Sequence, residues 1–94
     1  MKLFLVSQDI GPRYDIYDAI VVAAESSDDA RTIHPVDWLD LTDGFWTYTD
    51  EDGHVGKTGD FEWLLFADRH LLEVEYLGET TRERGVVLAS MNAG

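Results

Sequence analysis

Continuous and alternating apolar runs along the chain predict several short β-strands. Lys2–Ser7 is apolar on both faces, which indicates a central or well-covered strand. Residues 17–24 contain the β-branched run IVV and predict a second strand. Residues 71–77 alternate between apolar and acidic positions, which is typical of a strand with one solvated face. Residues 85–91 are again apolar on both sides and predict a last strand.

A helix start follows the second strand. Ser26 lies three residues before Asp29, the spacing of a capping box, and Pro35 ends the helix at about His34. A helix of about two turns is not stable alone, so it must pack on the sheet. These elements predict a single domain, residues 1–94, with an α+β fold. In this fold a small mixed or antiparallel sheet of about four to six strands carries one main helix.

The middle of the chain predicts a β-hairpin. Residues 45–49 and 54–58 flank the sequence DEDG, and an Asp-Gly pair between alternating residues is a strong hairpin signal. Residues 60–70 leave two alternatives open: a helix capped by Asp60, or a short strand over residues 63–66.

Composition excludes several classes of protein. The chain has 94 residues, no cysteine and a formal net charge of −12, so neither a disulfide nor a thiolate zinc site can form. Such acidity opposes direct binding to nucleic acid or anionic lipid. No run approaches the ~18 apolar residues of a membrane span, and the N-terminal apolar run is too short for a signal peptide. We therefore expect a cytoplasmic protein.

The acidity is concentrated in residues 36–63, which contain all three tryptophans and eight of the nineteen carboxylates. Lys57 is the one Lys or Arg there, so the segment has a net charge of about −7. Aromatic rings among unpaired acids suit a surface that binds a basic protein. The predicted partner-binding residues are Trp38, Asp40, Asp43, Trp46, Tyr48, Asp50, Glu51 and Asp52.

No motif indicates a metal, a cofactor or a catalytic centre. The hairpin sequence resembles part of a calcium loop, but that register places Tyr48 and Gly59 at the two anchor positions, where carboxylates are required. The three histidines lack ligand spacing, and His34 is interpreted as a cation near the end of the helix. We predict a protein that is not an enzyme and has no metal or cofactor.

A loop between the first two strands offers an alternative, small-ligand site. Aromatic rings beside an arginine and acids can stack a base, bind a phosphate and accept ring N–H groups. Uncharged side chains near the end of the chain add further donors. The residues of this alternative site are Arg13, Tyr14, Asp15, Tyr17, Asp18, Ser90 and Asn92.

Both ends of the chain resemble a known group of proteins. The start MKLFLVSQ, the stretch YDIYDAIVVAAES followed by DDARTIHP, and the ending GVVLASMNAG are similar to a family of small, mostly uncharacterised proteins of phages and bacterial mobile elements. The resemblance implies a protein that acts in the cytoplasm of a host cell and interferes with host machinery.

Two functions follow from these observations. The leading one is a non-enzymatic inhibitor that presents its acidic surface to a host defence or nucleic-acid-handling protein, in the manner of an anti-CRISPR protein or a DNA mimic. The alternative is a sponge that sequesters a nucleotide-like immune signal. Exposed sheet edges also allow a homodimer.

Overall fold

Seven strands in two antiparallel sheets make up most of the structure, a computed structural model that describes residues 1–8, 16–36, 39–58 and 63–92. These ranges also contain one turn of α-helix and one 3₁₀ helix. In chain order the elements are β1 (Lys2–Ser7), β2 (Ile16–Ala24), α1 (Ser27–Ala30), β3 (Asp40–Thr42), β4 (Phe45–Thr49), β5 (Val55–Lys57), the 3₁₀ helix (Phe66–Leu71), β6 (Glu73–Glu79) and β7 (Gly85–Asn92).

The larger sheet has four antiparallel strands in the order β6-β1-β2-β7. β1 is central, as its apolar residues on both faces predict. Val6 lies opposite Ile20 of β2 and Val74 of β6, so the three side chains form one apolar row across the sheet. Val6 and Ile20 are fully buried, which places the core on this face. The strands predicted at both ends of the chain are confirmed, although β6 begins two residues later than predicted.

The smaller sheet is a meander of β3, β4 and β5. The hairpin between β4 and β5 is confirmed: the Asp50 N–H donates to the His54 carbonyl at 2.9 Å, and Gly53 adopts a positive φ of 83° in the turn. A second hairpin joins β3 to β4 through Asp43 and Gly44, both with positive φ, the conformation of a two-residue turn. The sequence analysis did not predict β3, although this Asp-Gly pair was its signal.

The predicted α+β fold with one main helix on a sheet of four to six strands is wrong. The described chain is mostly β, with two sheets of four and three strands and only short helices. The capping box forms as predicted, since the Ser26 hydroxyl accepts from the Asp29 N–H at 3.0 Å. The helix nevertheless ends at Ala30, not at about His34, because its apolar face is too narrow to cover the sheet. Trp46 and Trp63, both buried, cover the sheet instead.

The described part of residues 60–70 forms neither the short strand nor the α-helix that the sequence left open. Residues 59–62 lie outside the described ranges, so a helix cap at Asp60 cannot be located. Residues 63–65 form neither a helix nor a strand, and the 3₁₀ helix Phe66–Leu71 follows them. Trp63 is fully buried ahead of this helix and is the largest of the fully buried side chains.

The backbone of Leu64 joins the two sheets. Its N–H donates to the Gln8 Oε1 at 2.9 Å, and Gln8 follows directly after β1. Its carbonyl accepts from the Trp46 indole N–H at 3.0 Å, and Trp46 lies on β4. The Trp46 ring also packs edge-on against His34 and Phe66, with centroid distances of 5.1 and 5.6 Å. Trp46 is therefore the side chain that attaches the small sheet to the rest of the fold.

Replacing Trp46 by phenylalanine tests this attachment. We expect Trp46→Phe to lower the free energy of unfolding by about 1–3 kcal/mol, because the buried Leu64 carbonyl loses its donor and the smaller ring leaves a void. Urea denaturation measures the change. Tyr48→Phe, on the same strand and partly exposed, is the control and should cost less than about 0.5 kcal/mol. Equal losses in the two variants would contradict the role of Trp46.

Candidate functional site

The two turns of the small sheet carry the exposed acids. Asp43 lies in the turn before β4, and Asp50, Glu51 and Asp52 lie in the turn after it; all four are exposed. β4 has five residues, so the two acidic turns are about 15 Å apart, at opposite ends of one strand. Asp40 is also exposed, on β3. We call these five residues the acidic surface.

The small sheet also exposes apolar side chains between its acidic turns. Phe45 and Val55 are 45% and 61% exposed. The Lys57 ammonium lies 3.8 Å from the centroid of the Phe45 ring, so the one lysine of this sheet is held over an aromatic face. Tyr48 is 40% exposed, and its ring lies so close over Gly56 that a Cβ there would be 2.4 Å from it. Exposed rings and carboxylates thus share this sheet.

One tryptophan predicted to bind a partner, Trp46, is not on this surface. Trp46 is 3% exposed and bonded to Leu64, so it belongs to the core. Trp38 lies outside the described residues. The exposed aromatic residues of the sheet are Phe45, which the prediction omitted, and Tyr48, which it included. Strand alternation was the available signal, because it separates Phe45 from Trp46, and one face of the hairpin had to be buried.

The turn after β4 is organised by the Asp50 carboxylate. Its Oδ1 accepts from the N–H groups of Asp52 and His54 at 2.9 Å each, and its Oδ2 lies 3.4 Å from the His54 Nδ1. One ligating atom from each of the three side chains lies within 4.8 Å of the others. All three residues are exposed, and the hydrogen bonds account for their approach as parts of a turn. We assign no metal to this cluster.

The alternative ligand site is brought together only in part. Arg13, Tyr14 and Asp15 lie outside the described residues. Tyr17 is half-buried and packs against the core, whereas the neighbouring Asp18 is exposed. Two further predicted residues lie on β7, where Ser90 is exposed opposite Ala19 and Asn92 pairs with Ile16. Of the predicted residues whose side chains are described, Tyr17 belongs to the core, and Asp18 and Ser90 are exposed.

A cavity of about 390 Å³ lies at the junction of β3, β4, the segment after α1 and the start of β7. Its polar lining comes from Thr32, His34, Asp40 and Arg84, and apolar side chains such as Val86 complete its walls. The sequence analysis did not predict this site. Along the chain, Arg84 lies about fifty residues from the other polar residues of the cavity, so no local spacing in the sequence indicates that they meet.

His34 is a buried, neutral residue of this cavity, and the prediction of a cation near a helix end is wrong. The ring is 6% exposed, and burial lowers its pKa from 6.5 to about 4. The Val36 N–H donates to its Nδ1 at 2.9 Å, so the proton of the neutral ring is on Nε2. His34 can therefore donate one hydrogen bond while carrying no charge.

Arg84 is fixed by the end of α1. Its Nε donates to both oxygens of the Asp29 carboxylate at 3.0 Å, and its Nη2 donates to the Thr32 hydroxyl at 2.7 Å. The hydrogen bond from Arg84 lowers the pKa of Asp29; desolvation opposes this shift, and the Glu25 N–H supports it. Asp29 therefore accepts from the Glu25 N–H ahead of the helix and holds the guanidinium at the rim of the cavity.

Comparison with known proteins identifies no relative. No protein-family model matches the sequence, and no curated protein or solved structure matches it either. Among the described residues, no helix has the length and apolar character needed to cross a membrane.

His34 makes stability depend on pH. Between pH 6.5 and about 4 the unfolded chain binds a proton at His34 that the folded protein does not bind. The neutral ring makes its full contribution to the free energy of unfolding above pH 6.5. This contribution decreases as the pH falls toward 4, by about 3 kcal/mol in total. We expect His34→Gln to remove this part of the pH dependence in denaturation curves. His54→Gln is the control at an exposed position. An equal loss of pH dependence in both variants would contradict the assignment of this effect to His34.

The Arg84–Asp29 contact gives a separate prediction. We expect Arg84→Lys to lower the free energy of unfolding by about 0.5–1 kcal/mol at pH 7, because lysine keeps the charge but loses the planar, bidentate contact in a half-exposed pair. Because the pKa of Asp29 is lowered, the loss should shrink as the pH falls below 3.8 and Asp29 is protonated. Arg82→Lys, at an exposed neighbouring position, should change stability by less. An Arg82→Lys loss as large as that of Arg84→Lys would argue against the contact.

Proposed function

We propose that this protein is a non-enzymatic binding protein that uses its acidic surface to occupy a basic surface of a host protein. One observation carries the proposal: exposed carboxylates lie at both ends of a small sheet that also exposes Phe45 and Val55. The resemblance to proteins of phages and mobile elements suggests that the partner is a host defence or nucleic-acid-handling protein in the host cytoplasm, and that binding inhibits it.

Charge gives the surface its selectivity. The chain has a net charge of −12, and Lys57, the lysine of the small sheet, is held over the Phe45 ring. Carboxylates in rows can occupy a groove that normally contacts phosphates, and the field of the whole molecule accelerates the encounter with a basic partner. The same field opposes direct binding of nucleic acid.

Apolar contacts give the surface its affinity. Charged pairs at the rim of an interface contribute mainly to the association rate, whereas buried aromatic and apolar side chains supply most of the free energy of binding. Phe45 and Val55 are exposed on one face of this sheet, each next to one of the two acidic turns. They replace Trp46, which is committed to the core, as the anchors of the proposed interface, whereas Leu41 and Tyr48 are exposed on the Trp46 face.

Neutralising the turn after β4 tests the proposal. The triple variant Asp50→Asn, Glu51→Gln and Asp52→Asn keeps a side-chain oxygen at position 50 for the turn. We expect it to reduce capture of the partner from bacterial lysate by about tenfold, because the charges that attract a basic surface are gone. Capture is quantified by mass spectrometry at low and high salt, and high salt should also reduce capture by the natural protein.

The control is a second triple variant with the same change in charge. Glu73→Gln, Glu75→Gln and Glu79→Gln neutralise three exposed acids on β6, away from the small sheet. This variant should capture the same protein as the natural chain. Undiminished capture by the turn variant, or equal losses in the two triple variants, would overturn the proposed surface.

A further inference from the structure

The cavity beside α1 contains hydrogen-bond donors that the protein does not use. The Nε and Nη2 of Arg84 donate to Asp29 and Thr32, whereas the two N–H groups of Nη1 have no partner among the described residues. The Nε2–H of His34 likewise donates to no residue in the described ranges. Both residues line the cavity, so donors from two elements are available to one bound molecule.

The same cavity contains an unused acceptor. Asp40 lines it from β3, and its carboxylate makes no hydrogen bond or ion pair within the described part of the chain. The contacts of Asp40 with the fold are made by its backbone, which pairs with Thr47 of β4 and accepts from the Thr47 hydroxyl. A molecule in the cavity can therefore accept hydrogen bonds from Arg84 and His34 and donate to the Asp40 carboxylate.

The charges of the lining favour an uncharged molecule. The charge of Arg84 is balanced by Asp29, and His34 is neutral, so Asp40 leaves the site with a small negative charge. Because the whole chain has a net charge of −12, a phosphate-bearing ligand would be repelled. Uncharged molecules that present both acceptors and N–H donors around a flat apolar ring satisfy every group of the lining.

We infer that this cavity binds an uncharged nucleoside with a guanine base, a site that goes beyond the acidic surface. Guanine presents the acceptors N7 and O6 on one edge, to which the Arg84 Nη1 and the His34 Nε2 can donate, and adjacent N–H groups that a carboxylate accepts from. A cavity of about 390 Å³ is within the size range of small-molecule sites, and apolar side chains such as Ile33, Val36 and Val86 are available to cover the ring.

Titration of the ¹⁵N-labelled protein with guanosine tests this site. We expect saturable shifts of the Trp46 indole N–H and of the backbone N–H groups of residues 39–41 and 84–86. Adenosine and cytidine should bind at least about tenfold more weakly, because each presents a wrong edge to the arginine or the carboxylate. GTP should bind more weakly than guanosine because its phosphates meet the acidic field.

Two single variants locate the site. Asp40→Asn should weaken guanosine binding by about tenfold or more, whereas Asp43→Asn, an exposed acid that does not line the cavity, should leave it unchanged. Arg84→Lys should weaken it too, since lysine lacks the planar donors. Should Arg84→Lys unfold the protein, Asp40→Asn still decides the question, because Asp40 is exposed on an edge strand.

Four results would overturn the inference. They are no shift up to the solubility limit of guanosine, equal binding of adenosine, unchanged binding by Asp40→Asn, and tighter binding of GTP than of guanosine. The variant neutralised at residues 50–52 leaves the cavity intact and should bind guanosine normally, so failure of the cavity and failure of the acidic surface are separate outcomes.

Discussion

The two hydrogen bonds of the Leu64 peptide hold the two sheets in one body. Gln8 and Trp46 reach the same residue from different sheets, one as an acceptor and the other as a donor. Each bond satisfies a backbone group that would otherwise be desolvated without a partner. Because Trp46 is fixed in this way, the small sheet has a defined inner side, and the acidic turns of β4 take defined positions at its two ends. The surface that carries the proposed function thus depends on a core tryptophan that cannot itself bind the partner.

The polar residues beside this junction, His34 and Arg84, also depend on neighbouring side chains. His34 packs edge-on against Trp46, and the position of the ring excludes water from a group that usually titrates near neutral pH. Hydrogen bonds to Asp29 and Thr32 hold the Arg84 guanidinium in place nearby. The result is a lining in which the charge of Arg84 is balanced by Asp29 and His34 is neutral, so the unpaired charge of the lining is the Asp40 carboxylate.

Local signals predicted the parts of the fold that depend on local chemistry. The apolar runs gave β1, β2 and β7, the Ser26–Asp29 spacing gave the helix start, and the Asp-Gly pair at residue 52 gave a hairpin. The fold class was wrong because it depends on which aromatic residues cover the larger sheet, and composition alone does not reveal whether Trp46 points inward. The cavity could not be predicted either, since His34, Asp40 and Arg84 come from separate parts of the chain.

The strand order β6-β1-β2-β7 also constrains how the chain reaches this structure. β1 and β2 are neighbours in sequence, but the outer strands of the larger sheet are residues 73–79 and 85–92, so that sheet cannot be completed until these residues have been synthesised. β3, β4 and β5 pair through short turns and close rapidly. The small sheet can thus pair before the larger one is complete, and its docking through Trp46 must wait for Leu64, which lies just ahead of β6 in the chain.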